Sequence, residues 1–318
     1  MNSNKIFIAG HNGMVGSAVL NKLKSEGFNN IITKTRRELD LTKQAEVNKL
    51  FGRERPEMVV ICAAKVGGIL ENSTKKADFI YQNLQIATNL IHASHIYNVK
   101  KTINLGSSCI YPRDAEIPIK EESLLTGVLE KTNEPYAIAK IAAIKLCESL
   151  YEQYDNNFYS IMPCNMYGPR DNFDLKSSHV LPALIRKVHE AKESGADSIE
   201  VWGSGKPLRE FLYVEDLAEA ICFCLKNVNA SDIYKQDISH LNCGSNKEIS
   251  ILELTSLIKN IIVYKGDIAF DSSKPDGTYR KKMDNTRISK IGFNPRTPLE
   301  EGLRRTYNWY IENKQKIV

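Results

Sequence analysis

An α/β fold, a doubly wound parallel sheet joined to a smaller α/β lobe, is predicted by three observations on this chain of 318 residues. Short apolar runs without polar alternation recur through the first half, as strands covered on both faces require. Stretches of helical periodicity separate them, the order that builds a parallel sheet. Glycines cluster where the first strand should turn into the first helix.

Taken in order, Ile6–Ala9 reads as a strand and Met14–Ser25 as a helix. Residues 30–35 give a second strand and 42–51 a second helix. Residues 57–64 form a third strand, apolar through Met58-Val59-Val60-Ile61-Cys62-Ala63. A long helix is expected over 78–97, a fourth strand over 102–106, a second long helix over 135–154 and a strand over 158–162. After Gly168-Pro169 the spacing loosens. Turn-forming clusters at Gly203-Ser204-Gly205, 242–246 and 274–277 then separate short strands and helices. No repeat or flexible linker divides the two parts, so they are expected to pack together.

Composition narrows the function classes. The hydrophobic fraction of 42% and charged fraction of 25% are those of a globular protein with an ordinary core. No apolar run approaches the ~20 residues that cross a bilayer, so no membrane association is expected. The N-terminus enters a strand pattern at once and lacks the layout of a signal peptide. Seven cysteines are an odd number without metal-ligand spacing. The close pair Cys222 and Cys224 falls in an apolar helical stretch with no histidine nearby, so reduced thiols, a cytoplasmic location and no metal site are expected. The net charge of +5 is scattered, with no motif for nucleic acid. The run Arg280-Lys281-Lys282 reads as a solvated face or as a contact for an anionic substrate.

The chemistry begins at Gly10, Gly13 and Gly16, a G-x-x-G-x-x-G run between the first strand and helix. Glycine there permits the tight turn and lets backbone N–H groups approach a pyrophosphate, with the helix N-terminus adding positive potential. In that context the run is a dinucleotide-binding turn of Rossmann type. The second strand then runs into Arg36-Arg37, where arginine suits a 2′-phosphate, so NADP is favoured over NAD. Asp40 follows, and could equally cap the next helix. The expected division is an NADP-binding domain over 1–165, taking back segments around 212–244, and a mainly substrate-binding lobe over 166–318.

Tyr136 and Lys140 lie one turn apart on a predicted helix and share a face. A tyrosine can protonate an alkoxide as hydride reaches a carbonyl carbon, and a nearby ammonium should draw its pKa toward neutrality. Ser107-Ser108, just past the fourth strand, supplies a hydroxyl for the substrate oxygen. Phosphate turn, serine and the tyrosine–lysine pair make the pattern of the short-chain dehydrogenase/reductase superfamily, in its extended form.

Over nearly its whole length the chain further resembles the GDP-L-fucose synthase family, GDP-4-keto-6-deoxy-D-mannose 3,5-epimerase/4-reductases. The motifs that carry the resemblance are Gly10-His11-Asn12-Gly13-Met14-Val15-Gly16, Ala63-Ala64-Lys65-Val66-Gly67-Gly68-Ile69 and Asp78-Phe79-Ile80-Tyr81-Gln82-Asn83. They continue with Leu105-Gly106-Ser107-Ser108-Cys109-Ile110-Tyr111-Pro112 and Asn133-Glu134-Pro135-Tyr136-Ala137-Ile138-Ala139-Lys140. Beyond them stand Asn165-Met166-Tyr167-Gly168-Pro169, Asp171-Asn172-Phe173, Val201-Trp202-Gly203-Ser204-Gly205 and Arg209-Glu210-Phe211-Leu212.

The resemblance implies roles residue by residue. Tyr136, Lys140 and Ser107 would serve C4 reduction, with Cys109 and His179 as the acid and base that invert C3 and C5. Thiol and imidazole have ordinary pKa values near ~8.5 and ~6.5, which suits proton exchange in both directions. The dinucleotide would meet Gly10, Asn12, Gly13, Met14, Val15 and Gly16 in the turn, and Arg36, Arg37, Asp40 and Leu41 after the second strand. Leu105, Gly106, Ser108 and Lys140 would line it further on, with Pro163, Asn165, Met166 and His179. Lys187, Trp202, Arg209 and Asp276 match substrate-binding positions: cations for a diphosphate, an indole face for stacking, a carboxylate for guanine or sugar hydroxyls. Core filling is the alternative for Trp202. His92, His95, His189 and His240 read as structural. A homodimer through the two long helices is implied at the level of the superfamily.

Asn12 stands where the family commonly has arginine, Cys164 where threonine is usual, and Tyr279 in place of proline; Lys206 also departs from the pattern. These leave Arg36 and Arg37 to carry the NADP preference and allow a heptose in place of the hexose. The readings in competition are a C4-reductase of a GDP-linked keto-heptose, with epimerisation left to another enzyme, and a dinucleotide-sensing binding protein. A 4,6-dehydratase would need an acidic pair where Ser108 and Cys109 stand.

Overall fold

The structure is a computed structural model that describes residues 3–273, 276 and 278–316. Among the described residues the strands are β1 (Ile6–Ala9), β2 (Ile31–Thr33), β3 (Met58–Ile61), β4 (Lys101–Leu105), β5 (Phe158–Pro163), β6 (Asn165–Tyr167), β7 (Ser198–Trp202), β8 (Leu208–Tyr213), β9 (His240–Cys243), β10 (Glu248–Ser250) and β11 (Asp267–Asp271). The helices are α1 (Met14–Ser25), α2 (Gln44–Glu54), α3 (Ile69–Thr74), α4 (Lys76–Ile96), α5 (Glu134–Tyr154), α6 (Val180–Ser194), α7 (Val214–Asn227), α8 (Ala230–Tyr234), α9 (Ile251–Ile262), α10 (Thr286–Lys290) and α11 (Leu299–Asn313).

Six strands form one parallel sheet in the order β2-β1-β3-β4-β5-β9. Both faces are covered, which explains the unbroken apolar strands. In β1, Ile6 and Ile8 join one buried cluster with Val19 of α1 and Leu217 of α7. Phe7 and Ala9 enter the opposite cluster with Val47 of α2, Leu90 of α4 and Ala143 of α5. The chain reverses direction across the sheet between β1 and β3, so a crevice opens outside their carboxyl ends, where open α/β sheets bind ligands.

The remaining strands build a second, smaller core. β8 lies between antiparallel β10 and parallel β6, while β7 and β11 pair in parallel. Leu184 of α6, Leu254 of α9 and Leu303 of α11 close this core with Val201 and Phe211.

Several expected boundaries differ. The second strand is only Ile31–Thr33, because Thr35 starts a turn in which its N–H and hydroxyl both donate to Glu38 at 2.8 Å. The helix expected over 78–97 begins at Lys76, and the short α3 precedes it. Of the turn cluster at 274–277, only Asp276 is among the described residues. Among the described residues no helix is long and apolar enough to cross a membrane.

Of the four histidines read as structural, three are held by hydrogen-bond partners, while His92 is exposed beside His95. His240 is buried with Nε2 2.6 Å from the Tyr111 hydroxyl, His189 bonds the Tyr307 hydroxyl at 3.0 Å, and His95 bonds Asn156 at 2.7 Å.

Candidate active site

Many of the residues singled out from the sequence lie at the carboxyl ends of the six-stranded sheet, and the others on the smaller lobe. At β1, Gly10 has φ +87°, and a Cβ on it would lie 2.8 Å from the Ala63 nitrogen that follows β3. A methyl on Gly16 would overlap the Gly10 carbonyl oxygen. Both glycines are therefore required by close backbone approach. Gly13 caps α1 in an extended conformation, its N–H bonded to the Gly10 carbonyl at 3.1 Å. The N–H groups of Met14, Val15 and Gly16 have no intrahelical acceptor and face the crevice with the helix dipole behind them. Beside them the buried His11 Nδ1 has no partner among the described residues. Such a cradle fits a dinucleotide pyrophosphate.

Past β2, Arg36 and Arg37 are exposed. Asp40 is engaged elsewhere: it accepts from the Thr42 N–H at 3.1 Å and hydroxyl at 2.8 Å, which bring its carboxyl below the ordinary range. It holds the turn into α2, and Asn89 donates to the carbonyl of the adjacent Leu41 at 3.0 Å.

β4 delivers Leu105, Gly106, Ser107 and a 3₁₀ turn over Ser108–Ile110. α5 begins opposite, with Pro135 in its first turn and Tyr136 and Lys140 on the face toward β4. Lys140 is buried, and its Nζ donates to the Leu105 carbonyl at 2.6 Å and lies 5.7 Å from the centre of the Tyr136 ring. Burial lowers the lysine pKa to about 8, against the raising influence of the Cys109 and Cys62 thiols. Tyr136 corrects an expectation. Burial pushes its phenol above the ordinary value, the Cys109 thiol adds to the rise, and a hydrogen bond from Ser107 only partly opposes it. Desolvation is the largest influence on the phenol, which favours the protonated form.

Cys109 is buried beside this pair. Burial raises its pKa; Lys281, Ser107 and Lys140 act in the opposite direction, in that order. His179 caps α6 without a side-chain capping bond. Its ring reaches solvent but is surrounded by protein mass, which lowers its pKa and favours the neutral imidazole. The loop before it is fastened to the one after β3, where the Gly68 N–H donates to the Ser177 carbonyl at 2.8 Å. Asn83 of α4 clamps that β3 loop by exchanging bonds with the Lys65 backbone at 2.8 and 3.0 Å. At the end of β5, Pro163 leads through Cys164 to Asn165 and Met166 in β6, and Asn165 donates to the Glu210 carbonyl at 3.0 Å.

The four positions expected to bind substrate lie on the smaller lobe. Trp202 ends β7 with 62% of its surface exposed, which removes core filling as its role. The Lys187 ammonium lies 5.6 Å from the indole centre. Both Asp276 oxygens accept from Ser204, at 2.8 Å from its N–H and 2.6 Å from its hydroxyl, fixing the Gly203–Gly205 turn. Arg209 donates to the Leu208 and Thr278 carbonyls at 2.8 and 2.6 Å and feels the Asp276 charge.

The motif-by-motif reading of the sequence left several groups of this rim without a role. Asn133 Oδ1, Ser178 Oγ and Asp171 Oδ2 are buried with no partner among the described residues. Burial pushes the Asp171 carboxyl up to about 7. The first and third of these residues stand inside motifs already quoted. Lys281, which feels both Cys109 and Arg209 electrostatically, was marked only by its run of basic neighbours.

Known proteins bear on this geometry. Residues 6–244 match the family described as NAD dependent epimerase/dehydratase. GDP-L-fucose synthase 1 of Arabidopsis thaliana is 51% identical over 98% of this chain and 94% of its own. A crystal structure of a GDP-6-OMe-4-keto-L-xylo-heptose reductase from C. jejuni superposes with a TM-score of 0.94, at 37% identity, over 98% of this chain and 99% of that one. A GDP-L-fucose synthetase from Naegleria fowleri, bound to NADP, superposes with a TM-score of 0.88 at 31% identity, over 98% and 95% of the two chains. With its glycine cradle, its Ser107–Tyr136–Lys140 cluster and its near-complete coverage of these relatives, the chain belongs to the NAD-dependent epimerase/dehydratase family and, within it, to the GDP-L-fucose synthases.

Proposed function

We propose that this chain is an NADPH-dependent 3,5-epimerase/4-reductase that converts a GDP-4-keto-6-deoxy-sugar to its reduced epimer, of the GDP-L-fucose type. The observation that carries the reading is a continuous line of chemistry. Trp202 and Lys187 lead through Asp276, Arg209 and Lys281 to Cys109 and then to Tyr136 and Lys140. One end suits a nucleotide diphosphate and the other a sugar carbonyl. Residues 1–165, with the segments around 212–244, would hold the dinucleotide, and 166–318 mainly the nucleotide-sugar.

Bound NADPH supplies hydride to C4 of the sugar. The protein's own part is to hold the keto group and manage protons. The ketone acidifies C3–H and C5–H, so Cys109 and His179 can exchange protons at those carbons through an enolate. Ser107 hydrogen-bonds the C4 oxygen, and Tyr136 gives that oxygen its proton. Lys140, now held by the Leu105 carbonyl, is placed to turn toward the nicotinamide ribose. Arg36 and Arg37 suit the 2′-phosphate.

The enzyme would work as a cytoplasmic homodimer. Its seven cysteines are free thiols, and Tyr81 of α4 and Ile138 and Tyr154 of α5 are exposed apolar groups on the two long helices.

A second reading, C4-reduction of a GDP-linked keto-heptose without epimerisation, is favoured by the high TM-score to the heptose reductase. One assay separates the readings. NADPH oxidation is followed against GDP-linked 4-keto-6-deoxyhexose and 4-keto-heptose in deuterated water, with no other enzyme added. The expected result is oxidation with the 6-deoxyhexose and deuterium at C3 and C5 of the product. Oxidation without deuterium supports the second reading, and no oxidation with any keto-sugar overturns both.

A further inference from the structure

The turn that carries Ser107 and Cys109 is fastened at its far end. The Ile110 N–H donates to the Ser107 carbonyl at 3.2 Å, and the Tyr111 N–H closes on the Ser108 carbonyl at 3.4 Å. Tyr111 is the residue at which the 3₁₀ turn stops and the chain becomes extended again. Its side chain is buried, and its hydroxyl reaches β9, the edge strand of the six-stranded sheet, where it meets His240 and Asn242.

The hydrogen positions in this contact follow from the partners. Asn242 Nδ2 donates to the Ile119 carbonyl at 3.0 Å and to the Asp284 carbonyl at 3.1 Å, so the atom it turns to Tyr111 is Oδ1, which can only accept. The Tyr111 hydroxyl gives its one hydrogen to that oxygen. His240 Nε2, 2.6 Å from the same hydroxyl, must therefore donate to it. His240 Nδ1 is left to accept from the Ser239 hydroxyl at 2.9 Å. The imidazole is thus held neutral in a single tautomer, in keeping with its complete burial, which brings its pKa down to about 3. The Asn242 N–H donates in turn to Glu121 at 3.1 Å. Every polar atom of the three side chains has its partner.

We propose that Tyr111 and His240 are positioning residues of the active site: the Nε2–H tautomer of His240 holds the Tyr111 phenol and, through it, the turn that presents Ser107 and Cys109 to the sugar. The inference rests on the reading of Ser107 as the donor to the C4 oxygen and of Cys109 as a proton-exchanging group. A 3₁₀ turn of three residues has few bonds of its own, so what holds its two ends sets its place. One end is β4, fixed in the sheet between β3 and β5. The other is Tyr111, fixed by β9. Loss of either hydrogen bond to the phenol leaves a buried polar group unpaired, and the turn has to shift to relieve it.

The test uses the full chain labelled with ¹³C at the cysteine Cβ and ¹⁵N in histidine. In the absence of ligand, His240 should show its proton on Nε2. Tyr111→Phe should move the Cys109 Cβ signal, identified by its loss in Cys109→Ser, and leave in place that of Cys147, which lies in the cluster on the opposite face of the sheet. With NADPH and the GDP-linked 4-keto-6-deoxyhexose, the same variant should lose at least ~10-fold in kcat while KM stays within about twofold of the parent. His240→Gln, whose amide can donate from the place of Nε2, should keep the parent signal and rate, and His240→Leu should lose both. If Tyr111→Phe does not fold, His240→Leu carries the same measurements. A proton on His240 Nδ1, or a Cys109 signal in the Phe or Leu variant that matches the parent, overturns the inference. The spectra need no sugar, so a parent that turns over no keto-sugar would sink the substrate reading alone and leave the Cys109 signal to decide this one.

Discussion

Lys140 carries a stability deficit that its proposed role explains. Its ammonium is buried, and its pKa falls from an ordinary 10.5 to about 8. Between those values the unfolded chain binds the proton and the folded chain does not, so stability rises with pH across that window. Below pH 8 the deficit is present in full. Lys140→Met should therefore raise the unfolding free energy of the dinucleotide-free protein at pH 7 by about 1–3 kcal/mol, with the lower end set by the donor lost to the Leu105 carbonyl. The gain should shrink toward pH 10, while NADPH-dependent reduction is lost. Urea unfolding at the two pH values, paired with an oxidation assay, checks both halves. Residues of this kind were legible from sequence because a spacing of four on a helix determines which side chains are neighbours. What happens to their pKa values was not legible. Burial raises Tyr136, whose ring meets Phe79 of α4, and lowers His179, and no local pattern encodes that.

Among the elements, the β1–α1 turn has the least tolerance. Gly16→Ala would place a methyl on the Gly10 carbonyl oxygen, so the first turn of α1 has to move away from β1. NADPH affinity should fall more than 10-fold, since the pyrophosphate depends on those N–H groups. The fold should survive, because Val19 and Leu23 still anchor the helix in the core. Titration of NADPH fluorescence and a melting curve measure the two effects separately. The first five strands could be read from apolar runs because a sheet covered on both faces leaves no polar alternation to confuse them. The second lobe resisted such a reading. β7 and β11 pair across more than sixty residues, and β10 is three residues long, so neither has a local signature. Residues 278–285, the strap that carries Lys281, form no named strand although their backbone is bonded to Leu208, Arg209, Ile119 and Glu210, and the basic run looks like an ordinary surface.

At the scale of the whole molecule, polar latches join the late chain to the early sheet. Glu121, buried in a 3₁₀ turn between β4 and α5, accepts from the Asn242 N–H of β9 at 3.1 Å and pairs with Arg287 of α10 at 2.6 Å. Removing the cation would strand a buried carboxylate, so Arg287→Met should cost about 3–5 kcal/mol at pH 8. Burial already raises the Glu121 pKa. A raised carboxyl favours folding at acid pH and loses that contribution as pH climbs through the folded value, so the variant should recover part of its loss near pH 5. Chemical denaturation at both pH values is the measurement. Glu210 plays a comparable part between β8 and the strap, accepting from the Asn246 and Met283 N–H groups at 2.8 and 3.1 Å. The crevice between the lobes is thus framed by bonds that also secure its walls.

The chain has two tryptophans, and they sit in opposite surroundings. Trp309 is half-buried and stacked on Phe173, with ring centres 6.1 Å apart. Trp202 is open to water on the smaller lobe, where the nucleotide-sugar is proposed to bind. Its emission should be red-shifted, and a purine base laid on the indole should quench it, while the Trp309 signal stays as an internal reference. The protein therefore carries its own optical gauge of occupancy, by which guanine nucleotides can be ranked without a label, a cofactor or turnover.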